Sequence, residues 1–325
     1  MAASKKVEVK VGRRTLELSN LDKVLYPKAG FTKAQVIDYY REISPVLLPH
    51  LRNRPLTMKR YPDGVEGGFF YEKECPRHRP KWVSTVAVWT ASKERDVNYC
   101  LANDLETLVW AANLADLELH TSLARAPRVD RPTMMVFDLD PGPPAAISEC
   151  CRIALELRSL LQDAGLESYA KTSGSKGLQL YVPLNSPANF DQTKRFAQSV
   201  ALRMEKDMPK DVVSEMKKSL RQGKVFIDWS QNDDHKTTIC VYSLRAMERP
   251  TVSTPVDWKE VASGVKDPAK LEFESSEVQK RVKRKGDLFE PVLKQKQKLP
   301  SPEVLGSTDG VTDKQTARRT PRSRV

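Results

Sequence analysis

Residues 133–144 read TMMVFDLDPGPP. Four apolar residues, Met134 to Phe137, lead into Asp138-Leu139-Asp140, and Pro141, Gly142, Pro143 and Pro144 stop the run. This is the pattern of a short buried strand closed by turn residues. Side chains alternate faces along a strand, so Asp138 and Asp140 share one face and Leu139 takes the other. Two carboxylates a few ångströms apart repel, and a divalent cation relieves the repulsion. Oxygen ligands of this kind suit Mg²⁺ or Mn²⁺, which keep substrate phosphates among their further ligands. A plainer reading is a pair of solvated aspartates at a strand end.

Working outward, KVFIDWS (224–230) sets a third acid, Asp228, in the same context of apolar residues before a carboxylate. Three carboxylates from two strands can hold two metal ions about 4 Å apart, one for the attacking hydroxyl and one for the leaving pyrophosphate. Between these segments lies Thr172-Ser173-Gly174-Ser175-Lys176-Gly177. Its glycines allow close backbone approach to a phosphate, its serines add hydroxyls and Lys176 a positive charge. It is not a Walker loop, since GxxxxGK[ST] is absent. A Gly/Ser connecting turn is the competing reading. A haloacid-dehalogenase-type phosphatase with Asp138 as nucleophile also places DxD after a strand, but the Pro-Gly-Pro-Pro that follows does not fit it.

Further out, residues 7–18 alternate as a strand or hairpin, and Thr32 caps a helix from Lys33 to Tyr40 or beyond that Pro45 interrupts or restarts. RNRPLTMKRYPDG (52–64) reads as a basic strand entering a turn, and GGFFYEK (67–73) follows it. Helical spacing covers 104–115, 145–164 and 190–206. Strand patterns cover 169–172, 178–184, 224–229 and 239–242. Strands and helices mix throughout, which makes the chain α/β or α+β.

Lys and Arg total 54 against 42 acids, a net charge of +12 over 325 residues. That excess favours a polyanionic partner. The five cysteines, at 75, 100, 150, 151 and 240, show no disulfide ladder or complete zinc set and read as reduced thiols of a cytosolic protein. The charged N-terminus lacks the apolar core of a signal peptide, and no run of about 18 apolar residues would span a membrane. From Ser275 the chain turns basic (KRVKRK, 280–285), and residues 300–325 are expected to be a disordered basic tail.

FDLDPG (137–142), TSGSKGLQLYVPL (172–184), VFIDWSQND (225–233), YSLRA (242–246) and VSTPVDW (252–258) together resemble the polymerase domain of bacterial ligase D, within the archaeo-eukaryotic primase superfamily. The resemblance extends from LDKVLYP (21–27) to GDLFEPVLKQKQKL (286–299). It implies an α+β primase-type core with mixed sheets flanked by helices over residues 1–299. An N-terminal DNA-contacting part would cover about 1–130 and a catalytic part about 131–299, in a stand-alone primase-polymerase form. By this resemblance Asp138, Asp140 and Asp228 bind two Mn²⁺ or Mg²⁺ ions. Lys59, His120, Ser173, Lys176, Gln179, Arg221, Gln231 and Arg245 surround the incoming nucleotide, with His120 near its sugar. Lys23 and Lys33 grip a downstream 5′-phosphate. Phe69 and Phe70 meet template bases, one of them exposed and one partly buried. The implied substrates are gapped or broken DNA and NTP or dNTP, with ribonucleotides favoured. A DNA ligase and a Ku-type end binder are the implied partners, in a bacterial, nucleoid-associated cytoplasmic setting.

The chain departs from the family where KGLH or KGMH is usual: Gln179 stands in the histidine's place. Glutamine can donate a hydrogen bond but carries no charge. Weaker nucleotide binding is one expectation, and priming, which must hold two nucleotides without a primer, is expected to suffer more than gap filling. A non-catalytic DNA-end-binding module is the alternative from a different class.

Overall fold

The computed structural model describes residues 6–90 and 93–305. Two six-stranded sheets organise them. The first is antiparallel, with strands in the order Thr238–Ile239, Asp116–Thr121, Leu56–Arg60, Arg95–Cys100, Thr85–Thr90, and Phe70–Glu72 also paired to Leu56–Arg60. The second runs Val212–Val213, Val225–Asp228, Met134–Pro141, Leu178–Pro183, Tyr169–Thr172, Pro255–Val256. It is mixed, because Val212–Val213 runs parallel to its neighbour and the other pairs are antiparallel. The α+β class expected from the sequence is the one observed.

Strand alternation decides which face each side chain takes. In the mixed sheet Met135, Phe137, Leu139, Leu178, Leu180, Val225 and Ile227 enter one apolar core with the buried faces of helices α3 (Ile147–Asp163) and α4 (Phe190–Asp207). Asp138, Gln179 and Asp228 are therefore left on the opposite face. In the antiparallel sheet Leu56, Met58, Leu117 and Leu119 enter the second core, with α1 (Lys33–Leu51) and α2 (Leu105–Asn113). Lys59, Glu118 and His120 take the other face.

Several expectations need correction. Helix α1 starts at Thr32 through a capping box with Gln35, as its sequence suggests, but runs unbroken through Pro45 and Pro49 to Leu51. A helix-interior proline costs about 3 kcal/mol. The apolar face of α1 outweighs that cost, burying Val36, Ile37, Ile43 and Leu47, while Tyr39 and Tyr40 donate to the carbonyls of Tyr242 and Leu117. The strand expected over 239–242 is only Thr238–Ile239, and Tyr242 takes a φ of 64°, outside the extended region. Cys75 and Cys100 are not free thiols: they form a disulfide with Cα atoms 5.0 Å apart, and Cys150, Cys151 and Cys240 are free and buried. A loop-to-strand contact brings the two together, as Cys75 N, in the loop after Phe70–Glu72, donates to Asn98 O of the strand Arg95–Cys100 at 2.6 Å, a proximity that linear spacing does not reveal.

The basic run 280–285 belongs to α6 (Ser275–Lys285) and is partly structural. Arg281 is buried against Glu260, and Lys285 pairs with Asp257 and Glu260. Of the expected tail, Pro302–Leu305 forms a 3₁₀ turn with Leu305 buried, and 306–325 lie outside the described residues.

Candidate active site

The three acids share one face of the mixed sheet, as the sequence suggested. Asp138 lies directly opposite Asp228 across one strand pair and opposite Gln179 across the other. Directly opposed residues share a face, with Cβ atoms roughly 5 Å apart. Burial, then Asp140, then Asp228 push the Asp138 carboxyl up to about 7, against a hydrogen bond from Gln179 and the charge of Lys171. Asp140 is also raised, by burial and Asp228, with Arg221 and Arg245 opposing. Asp228 accepts from Ser230 N at 3.0 Å and from Gln231 Nε2 at 2.9 Å. This is a crowded carboxylate set, short of positive charge at its centre, and its all-oxygen donors fit a divalent cation.

Beside the acids opens a cleft of 430 Å³ whose walls include Asp138, Gln179, Gln231, His120, Arg245 and Tyr71. Its basic side is organised by a residue that the sequence reading passed over. Glu118 is 2% exposed. Its carboxylate meets His120 Nε2 at 3.0 Å, Lys59 Nζ at 3.3 Å and Arg245 Nε at 3.4 Å, and accepts from Ala246 N at 3.0 Å. Burial works against ionisation of Glu118, but the His120 hydrogen bond and the charges of Arg245 and Lys59 outweigh it and hold the carboxyl at about 2. Burial in turn lowers His120, which favours neutral imidazole. A signal was present: Asp116, Glu118 and His120 alternate in ADLELHT, a polar row on one strand face.

The loop Ser173–Gly177 is seated tightly. Ser173 Oγ accepts from Ser175 N at 3.2 Å and Gly177 N at 3.0 Å, so two amides expected to face a phosphate are spent inside the loop. At Gly174, φ +71°, an added Cβ would lie 2.7 Å from both Arg245 Cγ and Ser253 N. Lys176 is exposed, with no ion pair among the described residues. Arg221 donates to Met216 O at 2.8 Å and stacks 3.7 Å above the Phe226 ring.

Phe69 and Phe70 are both exposed, at 52% and 44%, and Tyr71 beside them at 56%. The expected split into one exposed and one partly buried ring is not observed. Lys59 Nζ lies 4.4 Å from the Phe69 ring centre and Arg60 lies 5.1 Å from that of Phe70, so cations back both rings. Lys23 is half exposed and pairs with Asp63 at 2.8 Å. Lys33 is no surface lysine: it is 5% exposed and donates to Ser19 O at 2.6 Å. Burial, Lys23 and Arg60 lower it to about 8, which places three cations close together.

Opposed acids on a mixed sheet beside a cationic cleft define a class with known members. A family model, the LigD primase-polymerase domain, matches residues 32–289, and the chain belongs to that family. Among individual proteins, it is 44% identical over 279 residues to the multifunctional non-homologous end joining protein LigD of Mycolicibacterium smegmatis, covering 85% of this chain and 36% of that protein. It is 34% identical over 291 residues to the bifunctional non-homologous end joining protein LigD of Bacillus subtilis, covering 89% of this chain and 46% of that one. The chain thus spans less than half the length of these relatives. Among solved structures it resembles the polymerase domain from Mycobacterium tuberculosis ligase D in complex with DNA, with TM-score 0.80 and 41% identity over 86% of this chain and 98% of that one. Among the described residues no helix is long and apolar enough to cross a membrane.

Proposed function

We propose that the chain is a template-directed nucleotidyltransferase that adds nucleotides, ribonucleotides by preference, to a 3′-hydroxyl at short gaps or broken DNA ends. The observation that carries this reading is the opposition of Asp138 and Asp228 on neighbouring strands, with Asp140 two residues on, at the edge of a cationic cleft. Asp138, Asp140 and Asp228 would hold two Mn²⁺ or Mg²⁺ ions. Bound there, such ions supply charge stabilisation to attacking and leaving oxygens. Gln231 and Ser230 hold Asp228 in place by hydrogen bonds. Lys176, Arg221 and Arg245 offset polyphosphate charge, which stabilises the departing pyrophosphate. Lys59 and His120, both tied to Glu118, line the nucleotide's other side. Phe69, Phe70 and Tyr71 offer faces on which bases stack without sequence reading. Lys23 and Lys33 would take a downstream 5′-phosphate. A DNA ligase and a Ku-type end binder are the proposed partners, since the full-length relatives are end-joining proteins.

The test is incubation of pure protein with a 5′-phosphorylated short-gap DNA, Mn²⁺ and either ribonucleotides or deoxynucleotides. Template-matched addition, lost in Asp138→Ala and Asp228→Ala with DNA binding kept, is the expected result. Incorporation retained in both variants would end the assignment of the acids. DNA binding without any addition by the unmodified chain would favour an end-binding module.

A further inference from the structure

Four polar residues form one row across the mixed sheet. Asp228 opposes Asp138, Asp138 opposes Gln179, and Gln179 opposes Lys171, on four successive strands. Register partners share a face and neighbouring strands lie about 4.8 Å apart, so the row leads from the acids into the protein interior. Lys171 is its inner end and is completely buried. An ammonium so placed must be hydrogen-bonded. Lys171 Nζ donates to Gln179 Oε1 at 2.6 Å and to Ser253 Oγ at 2.6 Å, and lies 5.5 Å from the Tyr181 ring centre. Ser253 Oγ in turn donates to Thr172 O at 2.9 Å, which ties the same network to the start of the Ser173–Gly177 loop.

The donor inventory orients the amide. Lys171 Nζ meets the oxygen end of Gln179, and as a donor it selects that end. The Gln179 Nε2 group is then directed away from Lys171, on the side of Asp138, its register partner on the neighbouring strand. We propose that Lys171 is a positioning residue that acts through Gln179: it pins the amide oxygen so that the amide N–H holds the Asp138 carboxylate in place for a divalent cation. Lys171 need touch neither cation nor nucleotide. The proposal rests on the reading of Asp138 as a cation ligand.

The experiment compares full-length chain with Lys171→Met, Lys171→Gln, Gln179→Leu and the Lys171→Met/Gln179→Leu double variant. Each is measured for Mn²⁺ binding, by the electron paramagnetic resonance signal of free Mn²⁺, and for nucleotide incorporation on gapped DNA. Thermal melting of each variant corrects for the folded fraction. Lys171→Gln removes the charge but keeps an N–H that reaches Gln179 Oε1. The expected result is that Lys171→Met and Gln179→Leu each weaken Mn²⁺ binding at least threefold and lower kcat at least tenfold, with smaller changes in nucleotide KM. The double variant stays within twofold of Gln179→Leu, and Lys171→Gln recovers most of both losses. Losses that multiply in the double variant would overturn the proposal, because the two residues would then act independently. Tighter Mn²⁺ binding in Lys171→Met, or no recovery in Lys171→Gln, would also overturn it, by making Lys171 a charge that acts on the site directly. If the unmodified chain binds Mn²⁺ but incorporates nothing, the polymerase reading fails while the Mn²⁺ titrations still decide this one. Failure of the unmodified chain to bind Mn²⁺ overturns both.

Discussion

His120 Nε2 and Glu118 Oε2 stand 3.0 Å apart on one strand, and the same carboxylate reaches Lys59 and Arg245. One buried anion thus gathers three groups of the proposed nucleotide pocket. Its folded carboxyl at about 2 lies below the value of about 4.5 expected in the unfolded chain. A depressed carboxylate adds stability that is fully present above the unfolded value and is lost as pH falls through the folded one. The difference corresponds to about 3 kcal/mol. Glu118→Gln is expected to lose about that much at neutral pH, a fall in Tm of roughly 5–10 °C. Nucleotide KM should rise in the fraction that folds, as Lys59 and Arg245 lose their anchor. A variant with unchanged Tm and KM would remove Glu118 from this role.

Lys33, lowered to about 8 by burial, Lys23 and Arg60, is charged below that pH and neutral above it. Preference for a 5′-phosphorylated gap over an unphosphorylated one is therefore expected to be greatest near pH 7, where the terminal phosphate is doubly ionised and Lys33 is charged, and to decline as pH rises through 8 and beyond. Fluorescence anisotropy at fixed ionic strength measures the ratio of the two Kd values. Lys33→Met should flatten the curve, and a flat curve in the unmodified protein would count against the grip.

Removal of an exposed ring should act differently from removal of a charge. Phe69→Ala is expected to weaken binding to template overhangs by about 1–3 kcal/mol, the value of one stacked base. The slope of log Kd against log salt should not change, because no phosphate contact is lost. Lys23→Ala with Lys33→Ala should instead make that slope shallower. A shallower slope in Phe69→Ala would mean that the ring serves to place Lys59.

Gly174 separates loop placement from general backbone strain. Gly174→Ala meets both a positive φ and atoms at 2.7 Å, so the Ser173–Gly177 loop must shift and nucleotide KM should rise about tenfold or more. Gly165 has a similar φ of +76° but open space around it. Gly165→Ala should cost about 1–2 kcal/mol in a melt and leave KM alone. Equal KM values in the two variants would show that loop seating does not govern nucleotide binding.

The acids were legible in the sequence because their signals are local. Apolar residues before Asp138 and Asp228, and prolines after Asp140, mark strand ends wherever they occur. Lys171 was not legible, because it takes its meaning from partners on other strands, and Glu118 was legible only as part of a polar alternation, since Lys59 and Arg245 reach it from elsewhere. A lysine in YAKT gives no hint that it is completely buried until its register with Gln179 is known. The burial of Lys33 was not legible either, because it comes from the chain at Ser19, which lies against it and accepts its hydrogen bond. Pro45 misled for the opposite reason, since a local penalty was outweighed by the packing of one helix face. The Cys75–Cys100 pair, too, depends on a loop laid against a distant strand and not on spacing.

The pairing that sets Asp228 against Asp138 spans only four residues, from Asp138↔Asp228 to Pro141↔Val225. A strand has a parity, and this arrangement of the acids is written in it. Adding or deleting one residue between Val225 and Asp228 would turn the carboxylate toward the helices and bring Ile227 or Trp229 into its place. The preceding segment around Met216 and Leu220 is exposed and carries no such constraint. Length variants of this chain should therefore survive in that segment and fail within the four residues that follow Lys224. The reach of the protein's future variation is set there by whether a count is odd or even.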